Sequence, residues 1–164
     1  MTDAISEAIG SMARRLRQLE AAEAARSLLA RYGWACDGRD LDAVTAMFGE
    51  DASVEVSGRI WTGHREIASF FREAWSADPT DKTHFMVNVA PGELAGDSIA
   101  VRATFLYTAA GGSSSVLGWG HYRDVVDVSG HQPVFRSKGV DLKWAGDVRR
   151  GWAAGEPAAG AARP

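Results

Sequence analysis

Two residues stand where acid–base chemistry could be done. The first is Asp37, in residues 31–42, RYGWACDGRDLD. A helical pattern ends here, and the helix dipole disfavours a carboxylate in a last turn. Asp37 is therefore either an ordinary turn residue in water or a carboxylate aimed at a partner. The second is His84, in residues 83–89, THFMVNV. Strand alternation puts His84, Met86 and Asn88 on one face and Phe85, Val87 and Val89 on the other. Asn88 is the only asparagine in the chain and its type is depleted in strands, so that face meets solvent or a cavity. A lone strand histidine is usually a structural hydrogen-bonder. Paired with a carboxylate it becomes a base, because a neutral imidazole takes a proton near pH 7 and the carboxylate fixes its tautomer and stabilises the imidazolium.

Other reactive residues read more blandly. His64 falls in the first turn of a helix, exposed. His121 lies on a strand beside Trp119 and could line a pocket. His131 is in a turn. Cys36 is a poor nucleophile, since the neighbouring Asp37 charge raises its pKa.

The elements that must position Asp37 and His84 follow from periodicity. Residues 1–11 read as a flexible leader. From Ser11 a helix runs with Met12, Leu16, Leu19, Ala22, Leu28, Leu29 and Tyr32 near one face. Gly38 reads as its left-handed stop and Asp40 as the N-cap of a short helix, 41–48. Residues 52–56 alternate as a strand, and Ser57-Gly58 turns them back into residues 59–61. Thr62 reads as the cap of a third helix, whose apolar face is Ile67, Phe70, Phe71, Ala74 and Trp75. Four strands follow, 83–90, 98–110, 114–128 and 133–144, separated by Pro91-Gly92, Gly111-Gly112 and Ser129-Gly130. The expected fold is α+β: a curved antiparallel sheet wrapped around three N-terminal helices as a cone with an apolar interior. Gly118, Gly120 and Gly139 are candidate bends. The domain is expected over residues 12–145. The Gly/Ala/Pro-rich tail, 146–164, is expected to be mobile and could fold over the cone mouth as a lid around Trp152.

Composition narrows the function classes. The chain has 164 residues, 18 Lys and Arg against 21 Asp and Glu, and a formal charge of -3. It has no basic run, which argues against a nucleic-acid partner. A single cysteine excludes an internal disulfide and a cysteine-based zinc site. There is no H-x-x-x-H pair and no phosphate-binding glycine loop, so neither metal nor organic cofactor is expected. With no apolar run of membrane-spanning length and no signal-like start, a cytoplasmic protein without a membrane partner is expected. Apolar residues on both faces of the long strands, such as Val101 and Phe105 against Ala100 and Leu106, suggest a sheet buried twice. That implies a homodimer or homotrimer through the outer sheet face.

The order of the pieces carries a resemblance. Trp34-Ala35-Cys36-Asp37-Gly38-Arg39-Asp40, then Gly58-Arg59 through Gly63 to Ile67, then His84-Phe85-Met86-Val87-Asn88, then Gly120-His121-Tyr122-Arg123-Asp124 together resemble the SnoaL-like branch of the nuclear transport factor 2-like superfamily. That resemblance implies a cone-shaped α+β barrel and frequent homo-oligomers. Its dehydratases and dehydrochlorinases carry an Asp–His dyad at positions matched by Asp37 and His84, and its bile-acid enzymes carry a tyrosine similar to Tyr32. The chain departs from scytalone dehydratases in having Cys36 and Val56 where pocket tyrosines stand.

Two readings follow. In the first, His84, oriented by Asp37, takes an acidic proton from a hydrophobic cyclic or polyketide-like substrate. Tyr32 or Tyr107 would then hydrogen-bond the developing oxyanion, while Asn88, Trp61 and Trp119 line the pocket. The outcome would be a dehydratase-type elimination, with cyclisation or isomerisation as alternatives. In the second, the chain is a non-catalytic ligand-binding or assembly module, as some members of the superfamily are.

Overall fold

The structure, a computed structural model, describes residues 2–111 and 114–148. In chain order the elements are α1 (Thr2–Asp37), α2 (Leu41–Ala46), β1 (Phe48–Val56), β2 (Arg59–Thr62), α3 (Gly63–Ala77), β3 (Asp81–Ala95), β4 (Ser98–Gly111), β5 (Ser114–Asp127) and β6 (Val134–Asp147). The expected α+β class is what the chain adopts. The small hairpin is not separate from the long strands, however. All six strands form one open, curved sheet in the order β2-β1-β6-β5-β4-β3, because β1 pairs in parallel with β6. The helices close one face. Leu28, Leu29 and Tyr32 of α1 and Ile67 and Phe71 of α3 pack there against Val101, Phe105, Tyr122, Val126 and Phe135.

Several boundaries move for physical reasons. Residues 2–11, read as a leader, are the first turns of α1, exposed from Asp3 to Ile9 and at Ser11. Pro91-Gly92 does not stop β3. Pro91 pairs with Val101, and the ladder absorbs the missing donor through register shifts on either side, as an edge strand can. Gly38 is not the left-handed residue after α1; Arg39 is, with φ 51°. Its guanidinium donates to the carbonyls of Trp75, Asp78 and Thr80 at 2.9–3.1 Å, which offsets the strained backbone and ties α1 to the loop after α3. Asp40 caps α2, accepting from the Ala43 amide at 3.0 Å. Thr62 occupies the N-cap of α3 without a side-chain bond; instead Glu66 accepts from the Thr62 amide at 2.9 Å. The tail read as a lid lies outside the described residues from 149 onward, and β6 runs through Asp147 rather than ending at Trp144.

Candidate active site

Asp37 is the last residue of α1, and His84 lies on β3, an edge strand of the sheet. An edge strand leaves every second amide without a strand partner. At His84 that amide donates to Asp37, 2.9 Å from Oδ2 and 3.2 Å from Oδ1. The side chains meet as well: His84 Nδ1 lies 2.5 Å from Asp37 Oδ1. The two side chains are only 19% and 16% exposed. A carboxylate can only accept, so the proton of this contact sits on Nδ1, and in the neutral ring Nε2 carries the lone pair. The carboxylate that the dipole disfavours is thus held by three hydrogen bonds from a strand 47 residues away.

A cleft of about 260 Å³ opens beside the pair, lined by Ala30, Gly33 and Trp34 of α1 and by Thr83, Phe85 and Met86 of β3. Its walls are mostly apolar and its polar groups are Asp37, His84 and Thr83, the usual composition of a small-molecule site. It opens at the β3 edge, not inside the cone. The interior there is filled by aromatic rings: Tyr32 makes edge contacts with Phe48, Phe71, Tyr122 and Phe135 at centroid distances of 5.6–6.3 Å.

Of the candidate substrate-binding residues, the fold brings Tyr107 to the pair. Its ring centroid is 5.8 Å from that of His84, its strand position is directly opposite, and burial raises its pKa, which keeps its hydroxyl a donor. Gly118 makes this possible, since a Cβ there would sit 2.5–2.7 Å from the Tyr107 ring. None of the five lines the cleft itself, and the other four lie away from the pair. Tyr32 is 6% exposed and belongs to the core. Asn88 does not share the face of His84 and Met86. Its backbone takes φ 52° at a bulge of β3, the left-handed region that asparagine tolerates best among residues with a side chain. The bulge turns Asn88 to solvent and Val89 inward. Trp61 is on β2, at the opposite edge of the sheet, packed on Phe70 at 4.5 Å. Trp119 stacks on Trp144 at 4.8 Å. His121 is exposed beside Thr104, and His64 donates to the Phe48 carbonyl at 2.7 Å.

Sequence reasoning missed a buried pair. Lys138 Nζ donates to Asp124 Oδ2 at 2.9 Å, and neither side chain has any exposure. The ammonium lies over the rings of Tyr122, Tyr32 and Phe135 at 3.6, 4.3 and 4.7 Å. Burial pushes the Asp124 carboxyl up and the Lys138 ammonium down, each shift partly offset by the other's charge. The two residues are directly opposed on β5 and β6. Opposite charges at matching positions of neighbouring strands were the available signal. The bulge between Ser137 and Phe135 that aligns them left none. Among the described residues no group of three or more His, Cys, Asp and Glu could hold a metal ion, and no helix is long and apolar enough to cross a membrane.

The sequence model of the SnoaL-like domain matches residues 17–130. The chain belongs to that family. No curated protein sequence matches it significantly. Among solved structures, the SnoaL-like chain is similar to one from Novosphingobium aromaticivorans provisionally named an aromatic ring hydroxylase, with 26% identity, a TM-score of 0.67 and coverage of 76% of this chain and 90% of that one. It is also similar to a chain of the same organism provisionally named a scytalone dehydratase, with 17% identity, a TM-score of 0.68 and coverage of 76% and 85%. A third is the β subunit of benzoate 1,2-dioxygenase from Burkholderia mallei, with 20% identity, a TM-score of 0.65 and coverage of 72% and 87%. The last two likenesses establish the fold of this SnoaL-like domain and nothing about its reaction.

Proposed function

We propose that this SnoaL-like protein is a general acid–base enzyme acting on a hydrophobic cyclic or polyketide-like small molecule, with His84 as the base and Asp37 as its orienter. The observation that carries the proposal is the 2.5 Å contact between Asp37 Oδ1 and His84 Nδ1 at the floor of an apolar cleft. With Nδ1 committed to the carboxylate, Nε2 takes a proton from carbon next to a substrate carbonyl. The C–H electron pair becomes an enolate, and Tyr107, whose ring centroid is 5.8 Å from that of His84, is the proposed donor to the developing oxyanion. In a dehydratase-type elimination those electrons form the C=C bond as the β C–O bond breaks. The departing oxygen takes the proton back from the His84 imidazolium and leaves as water. Cyclisation and isomerisation share the first step.

The first step can be tested without knowing the leaving group. Exchange of the α-protons of a bicyclic ketone, 1-tetralone, into D2O is followed by NMR with the wild-type chain and with His84→Ala. The substitution is expected to slow catalysed exchange by about 100-fold or more while circular dichroism stays unchanged. Equal exchange in the two proteins would remove His84 from the mechanism.

A second reading, an assembly module without chemistry, has its own support. The same carboxylate that meets the ring also takes the edge amide of His84, so Asp37 would pin β3 to α1 in a scaffold too. Under that reading His84→Ala changes stability and no exchange is catalysed by either protein.

A further inference from the structure

Of the exposed large apolar side chains among the described residues, Trp34 stands furthest into solvent, at 79%. A single exposed apolar residue is ordinary; the place of this one is not. Residues three and four apart are neighbours on a helix surface, so Ala30, Gly33, Trp34 and Asp37 share one face of α1. All four line the cleft beside the Asp37–His84 pair. Ala30 and Gly33 are too small to fill it, and a Cβ at Gly33 would already press Met86 Cε at 3.0 Å. The face is therefore a shallow floor from which the indole of Trp34 stands as a wall. The other side is β3, where Phe85 is 45% exposed. Every other tryptophan that the structure describes already meets a ring: Trp61 lies on Phe70 at 4.5 Å, Trp75 on Phe71 at 5.4 Å, and Trp119 on Trp144 at 4.8 Å. Trp34 has no ring partner among the described residues. Its π face is left open at the one place where the proposed chemistry would bring a small molecule.

We propose that Trp34 is the specificity-determining residue of this site, stacking on an aromatic ring of the substrate and so selecting aromatic ketones over saturated ones. The proposal rests on the reading of Asp37 and His84 as an acid–base pair. Trp34 precedes Asp37 by about 4.5 Å along the helix axis, on the same face, so a ring held on the indole lies beside the pair. In a ketone fused to an aromatic ring the acidic α-carbon is close to that ring, and stacking and proton abstraction are compatible in one pose. Offset stacking of two π faces adds to the gain from apolar burial; a saturated ring presents only hydrogens to the indole and collects the burial alone. The cleft of about 260 Å³ falls below the roughly 300–1,000 Å³ usual for drug-sized ligands, so the ring system it encloses is small.

α-Proton exchange of 1-tetralone and of cyclohexanone, measured with wild type, Trp34→Ala and Trp34→Phe, tests this. Trp34→Ala is expected to raise KM for 1-tetralone by about 10-fold. The loss falls on KM rather than kcat, because a ring that takes no part in the reaction is held alike in the ground state and the transition state. Trp34→Phe keeps a ring face and is expected to restore most of the loss, and KM for cyclohexanone is expected to move little in either variant. An equal rise for both ketones, no rise for either, or a loss in kcat alone overturns the assignment. Binding of 1-tetralone, followed by saturation-transfer NMR, separates this from the reading it rests on. A His84→Ala chain is expected to bind 1-tetralone, and adding Trp34→Ala is expected to weaken that binding by about 10-fold. Binding through Trp34 in a wild-type chain that exchanges no protons sinks the acid–base reading and leaves the stacking site standing. Binding that is absent, or equal with and without Trp34, overturns the stacking site. So does a wild-type dimer in sedimentation equilibrium that Trp34→Ala splits, since a second copy would then cover the indole.

Discussion

Lys138 and Asp124 are a charged pair with no solvent contact, and Asp124 Oδ1 has no hydrogen-bond partner of its own. Removing one member of such a pair leaves a buried charge uncompensated, whereas removing both need cost little. Lys138→Met should therefore lower unfolding free energy by roughly 3–5 kcal/mol, and adding Asp124→Leu should recover most of that loss. Urea unfolding of Lys138→Met, Asp124→Leu and the double variant checks this; a double variant as unstable as the sum of the two singles would mean that the residues do not act as a pair. Cys36 illustrates the opposite use of burial. Desolvation, only partly countered by its bond to Tyr32 and by the Lys138 charge, pushes its thiol up to about 12. At pH 8 it is a thiol, not a thiolate, so iodoacetamide should label the native chain far more slowly than the urea-unfolded one. Equal rates would show that the α1 end is open. Cys36 could be dismissed as a nucleophile from its neighbour Asp37 alone, but burial turns out to be the larger cause.

The ends of elements carry more of the fold than their middles. The β5–β6 turn is held by Asp127, which accepts from the Ser129 hydroxyl and amide at 2.6 and 2.8 Å and from Arg136. Those bonds, with Ser129 first, hold the Asp127 carboxyl down at about 2 against a smaller upward push from burial. The unfolded value is about 3.9. A depressed carboxylate stabilises the fold fully above its unfolded pKa, and that contribution is lost as pH falls through the folded one. Between about pH 4 and pH 2 the wild-type urea midpoint should fall more steeply than that of Asp127→Asn; parallel curves would show that the turn is not so linked. At this scale the sequence was partly legible. The capping role of Asp40 and the turn at Ser57-Gly58 follow from residue type. The bulge at Asn88, the continuation of β3 through Pro91 and the left-handed Arg39 do not. Each depends on a tertiary partner: an edge position without a neighbour, or three carbonyls waiting for a guanidinium.

Across the whole molecule, periodicity and turn residues were enough to read three helices and a run of antiparallel strands. The parallel pairing of β1 with β6 was not readable, because it joins segments about 80 residues apart with no local signal. It brings the hairpin into the sheet, and the interior fills with Tyr32, Phe48 and Phe135 instead of forming a pocket. Asp37 and His84 were legible as a pair through their places in the order of elements, whereas four of the five proposed lining residues were assigned to a cavity that the packed core leaves no room for. Only the complete fold brings the end of α1 to the edge of β3, where Asp37 and His84 are proposed to work as one unit. A double-mutant cycle on 1-tetralone α-proton exchange measures this most directly, comparing wild type, Asp37→Asn, His84→Ala and the double variant. Residues acting as a unit are strongly non-additive: both single variants are expected to lose exchange, and the double variant to be no slower than His84→Ala. Losses that multiply, or an Asp37→Asn variant as fast as wild type, would contradict it.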